Sequence, residues 1–234
     1  MSQLTKSPKL IVALDVDSRA QAMRWVRLLY PKVKIFKVGL QLYTACGPRI
    51  IRDIRKAGAE IFLDLKFNDI PNTMVSAAEE ARKLKAVMIT VHTLSGPTAL
   101  KEVARVCRKS KTKVLGVTIL TSICQHFLKD LKIQRSLSDE VLYLARMAKR
   151  CGLDGVVCPA QQAGKMRKYL GENFIIVSPG IRPPGCARAD QKQVATPQLA
   201  KKAGVDYMVV GRPILKARNP RRVAEEIIAE MKSK

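Results

Sequence analysis

Short, continuous apolar runs alternate along the chain with longer stretches in which apolar residues return every three or four positions. The first run, 10–16, predicts a strand, and 18–30 predicts a helix carried by Ala22, Val26 and Leu29. A second strand at 34–40 is followed by a helix over 48–57, with Ile50, Ile51 and Ile54 on one side. The third strand, 60–66, precedes a helix at 72–85, and the fourth, 87–92, precedes one at 98–108. A fifth strand at 113–119 leads through an irregular segment, 121–136, to a helix at 137–150. Strands at 155–158 and 174–178 flank a helix at 161–170. A Gly- and Pro-rich loop over 179–195 gives way to a short helix that Thr196-Pro197 caps and Lys202 ends. The eighth strand is 207–211, and Asn219-Pro220 opens a last helix with Val223, Ile227 and Ile228 facing inward.

Eight strand-then-helix units in 234 residues predict a (β/α)8 barrel, an α/β TIM-barrel fold spanning 1–234 as a single domain. A doubly wound open sheet is the alternative, but no Gly-x-Gly-x-x-Gly turn follows the first strand. No low-complexity segment or linker interrupts the alternation.

Composition narrows the setting. No run of 18 apolar residues occurs, and residues 1–9 lack the apolar centre of a signal peptide, so a soluble, cytoplasmic protein is expected. Cys46, Cys107, Cys124, Cys151, Cys158 and Cys186 form no Cys-x-x-Cys pair, and His92 and His126 stand at no zinc-ligand spacing from them. Reduced thiols and no metal site are expected. The formal net charge of +24 invites a polyanion. Its densest stretches, 82–85 and 108–113, end helices, where cations complement the dipole, and no aromatic residues interleave them. Solvated faces that steer an anionic substrate account for the charge better than nucleic-acid binding does.

In such a barrel the working residues gather at the carboxyl ends of the strands. Asp64 and Lys66 sit at i and i+2 near the end of the third strand, where alternation points both the same way, and Asp69 follows in the loop. Asp15, Thr121-Ser122, Arg182 and Gly211-Arg212 fall at other strand ends, and Lys37 lies within the second strand. His92 ends the fourth strand and is assigned no role. The last two loops, Ser178-Pro-Gly-Ile-Arg182 and Val210-Gly-Arg212, combine glycine with arginine where barrels commonly bind phosphate.

The string Asp64-x-Lys66-x-x-Asp69-Ile70-Pro-Asn-Thr73 resembles the signature of the orotidine 5′-monophosphate decarboxylase family. The likeness extends from Ile11-Val-Ala-Leu-Asp15 through Phe36-Lys-Val-Gly39 and Leu120-Thr-Ser122 to Ser178–Arg182, Asp190-Gln191 and Val210–Arg212. It implies cofactor-independent decarboxylation of orotidine 5′-monophosphate to UMP for pyrimidine synthesis, with a charged array of Lys37, Asp64, Lys66 and Asp69. It further implies a homodimer in which Asp69, Ile70 and Thr73 reach the neighbouring subunit's site. Asp15 and Lys37 would hold the ribose hydroxyls, Ser122 the pyrimidine amide, and Gln191, Gly211 and Arg212 the phosphate, with Thr121 and Arg182 lining the site. Two positions depart from the family pattern. Ser95 stands where a second glycine is expected, and Ala189 where an acid is usual.

Two rivals remain at this stage. A related decarboxylase or aldolase acting on keto-sugar phosphates would share Asp-x-Lys-x-x-Asp, but would use Mg²⁺ and an acidic ligand on strand two, where this chain has Lys37. A non-catalytic barrel that binds nucleotide or nucleic acid is the other.

Overall fold

The computed structural model describes residues 7–183 and 194–233. In chain order the elements are β1 (Lys9–Ala13), α1 (Arg19–Leu29), β2 (Ile35–Gly39), α2 (Leu40–Cys46), α3 (Arg49–Lys56), β3 (Glu60–Phe67) and α4 (Pro71–Lys83). There follow β4 (Met88–His92), a 3₁₀ turn at Thr93–Ser95, α5 (Gly96–Cys107), β5 (Lys113–Val117), α6 (Gln125–Asp130) and α7 (Leu137–Arg150). The remainder comprises β6 (Gly155–Val157), α8 (Ala160–Leu170), β7 (Ile175–Ser178), α9 (Pro197–Lys202), β8 (Tyr207–Val210), α10 (Arg212–Leu215) and α11 (Pro220–Lys232). All eight strands pair in parallel, each with the next, and β8 closes on β1.

The strands read as continuous apolar runs because both of their faces are covered. Leu10, Val12 and Leu14 belong to the large cluster between sheet and helices, whereas Ile11 and Ala13 join a smaller one with Ile35, Phe62, Met88, Leu115, Val177 and Val209. That smaller cluster plugs the barrel, so the polar positions two residues further along these strands stand on an apolar floor.

Several boundaries differ from expectation for local reasons. A short helix, α2, precedes the expected one, which begins only after Gly47 turns at φ +59°. The single turn α10 follows directly on β8, and α6 orders part of the segment 121–136. In α11 the buried positions are Ala224, Ile227 and Met231, while Val223 and Ile228 only flank the core. Ser95 adopts φ −65°, so no second glycine is needed there, whereas Gly96 takes φ +84°.

Cys46, Cys107, Cys151 and Cys158 carry free thiols. Burial pushes the Cys107 thiol up to about 11 and that of Cys158 up to about 12, so neither is a ready nucleophile at neutral pH. Cys186, Ala189, Asp190 and Gln191 lie outside the described residues. Among the described residues, no helix is long and apolar enough to cross a membrane.

Gly155 shows how tightly the sheet closes. A Cβ there would stand 2.3 Å from the carbonyl oxygen of Ile175 on the neighbouring strand. We expect Gly155→Ala to cost about 1–3 kcal/mol through overpacking. Thermal unfolding should read this as a fall of roughly 2–4 °C per kcal/mol.

Candidate active site

The strand register puts Lys37 two residues after Ile35, Asp64 two after Phe62, and Asp15 two after Ala13, all above the apolar plug. They meet. The Lys66 ammonium donates to Asp64 Oδ2 at 3.0 Å, and the Lys37 ammonium lies 3.5 Å from the same oxygen. Lys37 also donates to Asp15 Oδ1 at 3.2 Å, so it bridges two carboxylates. Gly39 makes room for this bridge, since a Cβ there would stand 2.8 Å from the Lys37 nitrogen.

Asp64 is buried. Burial alone would raise its pKa, but the ammoniums of Lys37 and Lys66, with hydrogen bonds from Lys66 and Thr90, outweigh it. The carboxyl is held below its ordinary value and is ionised at neutral pH. His92 is half-buried at the end of β4, and its Nδ1 accepts from the Leu94 N–H at 3.3 Å. Burial, then the Lys66 charge, lowers its pKa, so the ring is neutral at pH 7 and adds no third cation.

Lys66 does not sit on a regular strand. Between Leu63 and Phe67 the β3–β4 register shifts, so four residues of β3 advance while β4 advances only from Ile89 to Val91. Lys66 takes φ +50°, the left-handed region that an L-residue enters only at a cost. Its backbone N–H donates to Thr90 Oγ1 at 2.9 Å, and the same hydroxyl donates to Asp64 Oδ1 at 3.0 Å. The sequence alone does not single out Thr90. Its position two residues after inward-facing Met88 was the available signal.

Asp15, Lys37, Asp64 and Lys66 line a cavity of about 260 Å³ at the barrel mouth. Ala13, Phe62, Val117, Val157 and Val209 form its apolar base, and Thr121, Gly180, Arg182, Gly211 and Arg212 its far side. Arg182 is buried, and its Nε has no hydrogen-bond partner among the described residues. Gly211 lets backbone approach Asp15, whose Oδ2 would lie 3.3 Å from an added Cβ.

Other expected site residues stand apart from the array. Ser122 is exposed and does not line the cavity. Asp69, Ile70 and Thr73 are also exposed and outside it, and Asp69 Oδ1 accepts the Ile70 N–H at 2.7 Å instead of meeting Lys66. Gln191 falls outside the described residues. Ser95 ties the two adjacent loops together, its hydroxyl reaching Asn68 Oδ1 at 2.7 Å and the His92 carbonyl at 2.9 Å.

Comparison with known proteins agrees with this geometry. The model of the Orotidine 5'-phosphate decarboxylase / HUMPS family matches residues 8–227. An orotidine 5'-phosphate decarboxylase of Geotalea daltonii is 43% identical over 95% of both chains. One of Vibrio cholerae is 43% identical over 94% of this chain and 96% of its own. The crystal structure of the Lactobacillus acidophilus decarboxylase superimposes with a TM-score of 0.87 at 36% identity, covering 97% of this chain and all of that one. That of Methanocaldococcus jannaschii, complexed with the inhibitor BMP, gives 0.79 at 26% identity, covering 97% of this chain and all of that one. By a match that runs nearly end to end, and by barrels that coincide, the chain belongs to the orotidine 5'-phosphate decarboxylase / HUMPS family.

Proposed function

We propose that the chain decarboxylates orotidine 5′-monophosphate to UMP and CO2 in pyrimidine synthesis, without metal or organic cofactor, through a C6 carbanion that Lys66 stabilises and protonates. One observation carries this choice within the family. The Lys37 ammonium lies between Asp15 and Asp64, 3.2 and 3.5 Å from their oxygens, where a Mg²⁺-dependent relative would need an acidic ligand. A lysine in that position repels a divalent ion.

The chemistry then falls to the charged array. The bond from C6 to the carboxylate carbon breaks, its electron pair stays on C6, and CO2 leaves. No ring resonance spreads that pair, so a fixed positive charge must meet it. The Lys66 ammonium faces C6, lowers the energy of the carbanion and hands it a proton, and the neutral amine regains a proton from water. Asp64 stands beside the departing carboxylate and orients Lys66. Asp15 and Lys37 take the ribose hydroxyls, and Ser122 takes the pyrimidine amide after the loop following β5 closes. Arg182, Gly211, Arg212 and Gln191 hold the phosphate, with Thr121 lining the cavity. Binding energy from this remote group is used at the reacting carbon.

The exposed rim supports a homodimer. Leu40, Ile70 and Leu94 are 58%, 67% and 57% exposed, and they follow three consecutive strands, β2, β3 and β4. Exposed apolar side chains at these three strand ends, one of them next to Asp69, suit a self-complementary interface. Across it Asp69, Ile70 and Thr73 would enter the neighbouring site, and Asp69 would complete the alternation of charges around Lys66.

Three outcomes test this reading. In metal-free buffer, ultraviolet absorbance should record loss of orotidine monophosphate at a rate that a chelator leaves unchanged, and abolition by chelator would restore the Mg²⁺ alternative. Lys66→Ala should lose at least about 10³-fold in kcat, the scale of removing one charge-stabilising donor, while still binding UMP. Mixing Lys66→Ala with inactive Asp69→Ala should recover up to roughly a quarter of normal activity, since half of randomly paired two-fold dimers are hybrids with one intact site. Mixtures that stay inactive despite subunit exchange would place Asp69 in its own subunit's site.

A further inference from the structure

The buried threonine hydroxyls of this barrel serve two different ends. Thr93, Thr112 and Thr118 donate to main-chain carbonyls, of Val117, Ala86 and Val157 respectively, and stitch neighbouring segments together. Thr90, fully buried, instead donates to the Asp64 carboxylate and accepts from the Lys66 N–H. One proton and one lone pair are thus committed to two members of the charged array. A valine would fill the same volume, so packing alone gives no reason for a hydroxyl there.

We propose that Thr90 is a positioning residue for the reaction, holding Lys66 in its left-handed conformation and fixing the plane of the Asp64 carboxylate. The inference rests on the assignment of Lys66 as the group that meets C6. The geometry makes the case in two steps. First, the register shift at Leu63–Phe67 takes the Lys66 N–H out of the β3–β4 ladder, and the Thr90 hydroxyl supplies the acceptor. Without it, a half-buried N–H would lack a partner at a residue already at φ +50°, and the bulge would relax. Second, the two carboxylate oxygens of Asp64 have separate duties. Oδ2 takes both ammoniums, and Oδ1 takes Thr90.

That division matters during turnover. When Lys66 gives its proton to C6, Asp64 loses one of its two cationic neighbours. The hydrogen bond from Thr90 does not depend on the charge of Lys66, so it persists and favours the ionised carboxylate. The proton that returns then goes to the amine. The groups around Asp64 are Lys37 from β2, Lys66 from its own strand and Thr90 from β4, while Asp15 reaches it only through Lys37 and neutral His92 only through Lys66.

The test compares Thr90→Val, which keeps the shape and removes the hydroxyl, with Thr90→Ser, which keeps the hydroxyl. For Thr90→Val, kcat should fall on the order of 10²-fold, as for a reacting group displaced by about an ångström, with UMP affinity by calorimetry unchanged. The acid limb of its kcat–pH profile should move to higher pH, because a carboxylate that loses a donor binds its proton more tightly. Thr90→Ser should restore both kcat and the position of the limb. Should Thr90→Val fail to fold, Thr90→Cys replaces it, keeping the volume with only a weak donor, and it should show the same fall and shift. Normal kcat in the Val or Cys variant, equal loss of kcat and UMP affinity, or a Ser variant as poor as Val would each overturn the proposal. Lys66→Ala separates the two levels. If that variant is inactive while Thr90→Val turns over normally, only the role of Thr90 fails. If Lys66→Ala retains turnover, the assignment beneath it fails.

Discussion

The structure turns on one carboxylate kept charged out of water. Asp64 is buried, and an ion in that position is tolerable only with partners of good geometry on each oxygen. Lys37, Lys66 and Thr90 are those partners, and each comes from a strand or bulge whose place the barrel fixes. Removing one partner of such a buried set typically costs about 3–5 kcal/mol, because the remaining charge is left uncompensated. The array is therefore coupled, and its members stand or fall together.

The apolar plug beneath makes that coupling rigid. Ile35, Phe62 and Met88 fill the barrel directly below Lys37, Asp64 and Thr90, so the polar layer cannot sink, and close-packed neighbours keep it from rotating. Gly39 and Gly155 serve the same end by absence, one leaving space for an ammonium and the other for a neighbouring strand. Charges held at fixed separations need no reorganisation as a new charge appears beside them. That is the condition for electrostatic stabilisation of a carbanion.

How much of this could be read from the chain follows from the same physics. Parallel strands covered on both faces print themselves as apolar runs, so all eight and their order were legible. Lys37 and Asp64 could be placed because a period of two carries inward-facing Ile35 and Phe62 directly to them. The pairing of Lys66 with Asp64 was also anticipated, but by an argument that holds only because β3 gains two residues over β4. An even insertion preserves parity, and an odd one would have reversed it. The bulge itself depends on a neighbouring strand and leaves no local mark. Thr90 obeys the same period from Met88, yet a threonine in a strand is ordinary, and only the atoms it meets make it distinctive. The one-turn helix α10 and the short α2 are too brief to impose a periodicity. Asp69, Ile70 and Thr73 are exposed and stand outside the cavity, so nothing within one chain ties them to the array.

The two ends of the cavity differ in a way that bears on how it would work. At the charged end, every oxygen of Asp64 has a partner, whereas at the other end Arg182 is buried with its Nε lacking one among the described residues. A buried donor without a partner costs about 1–3 kcal/mol, and an anion that supplies the missing acceptor recovers that cost on arrival. On the proposed reading the phosphate meets this end. Affinity is then generated far from C6, with Arg182 Nε gaining an acceptor on binding, while the oxygens of Asp64 are already paired and need not move. Had the charged end also waited for its ligand, binding would be consumed in assembling Lys66 and Asp64, leaving less to favour the transition state over the bound substrate. On that reading, the asymmetry between a paired end and the unpartnered Arg182 Nε separates the group that meets the phosphate from those that act at C6.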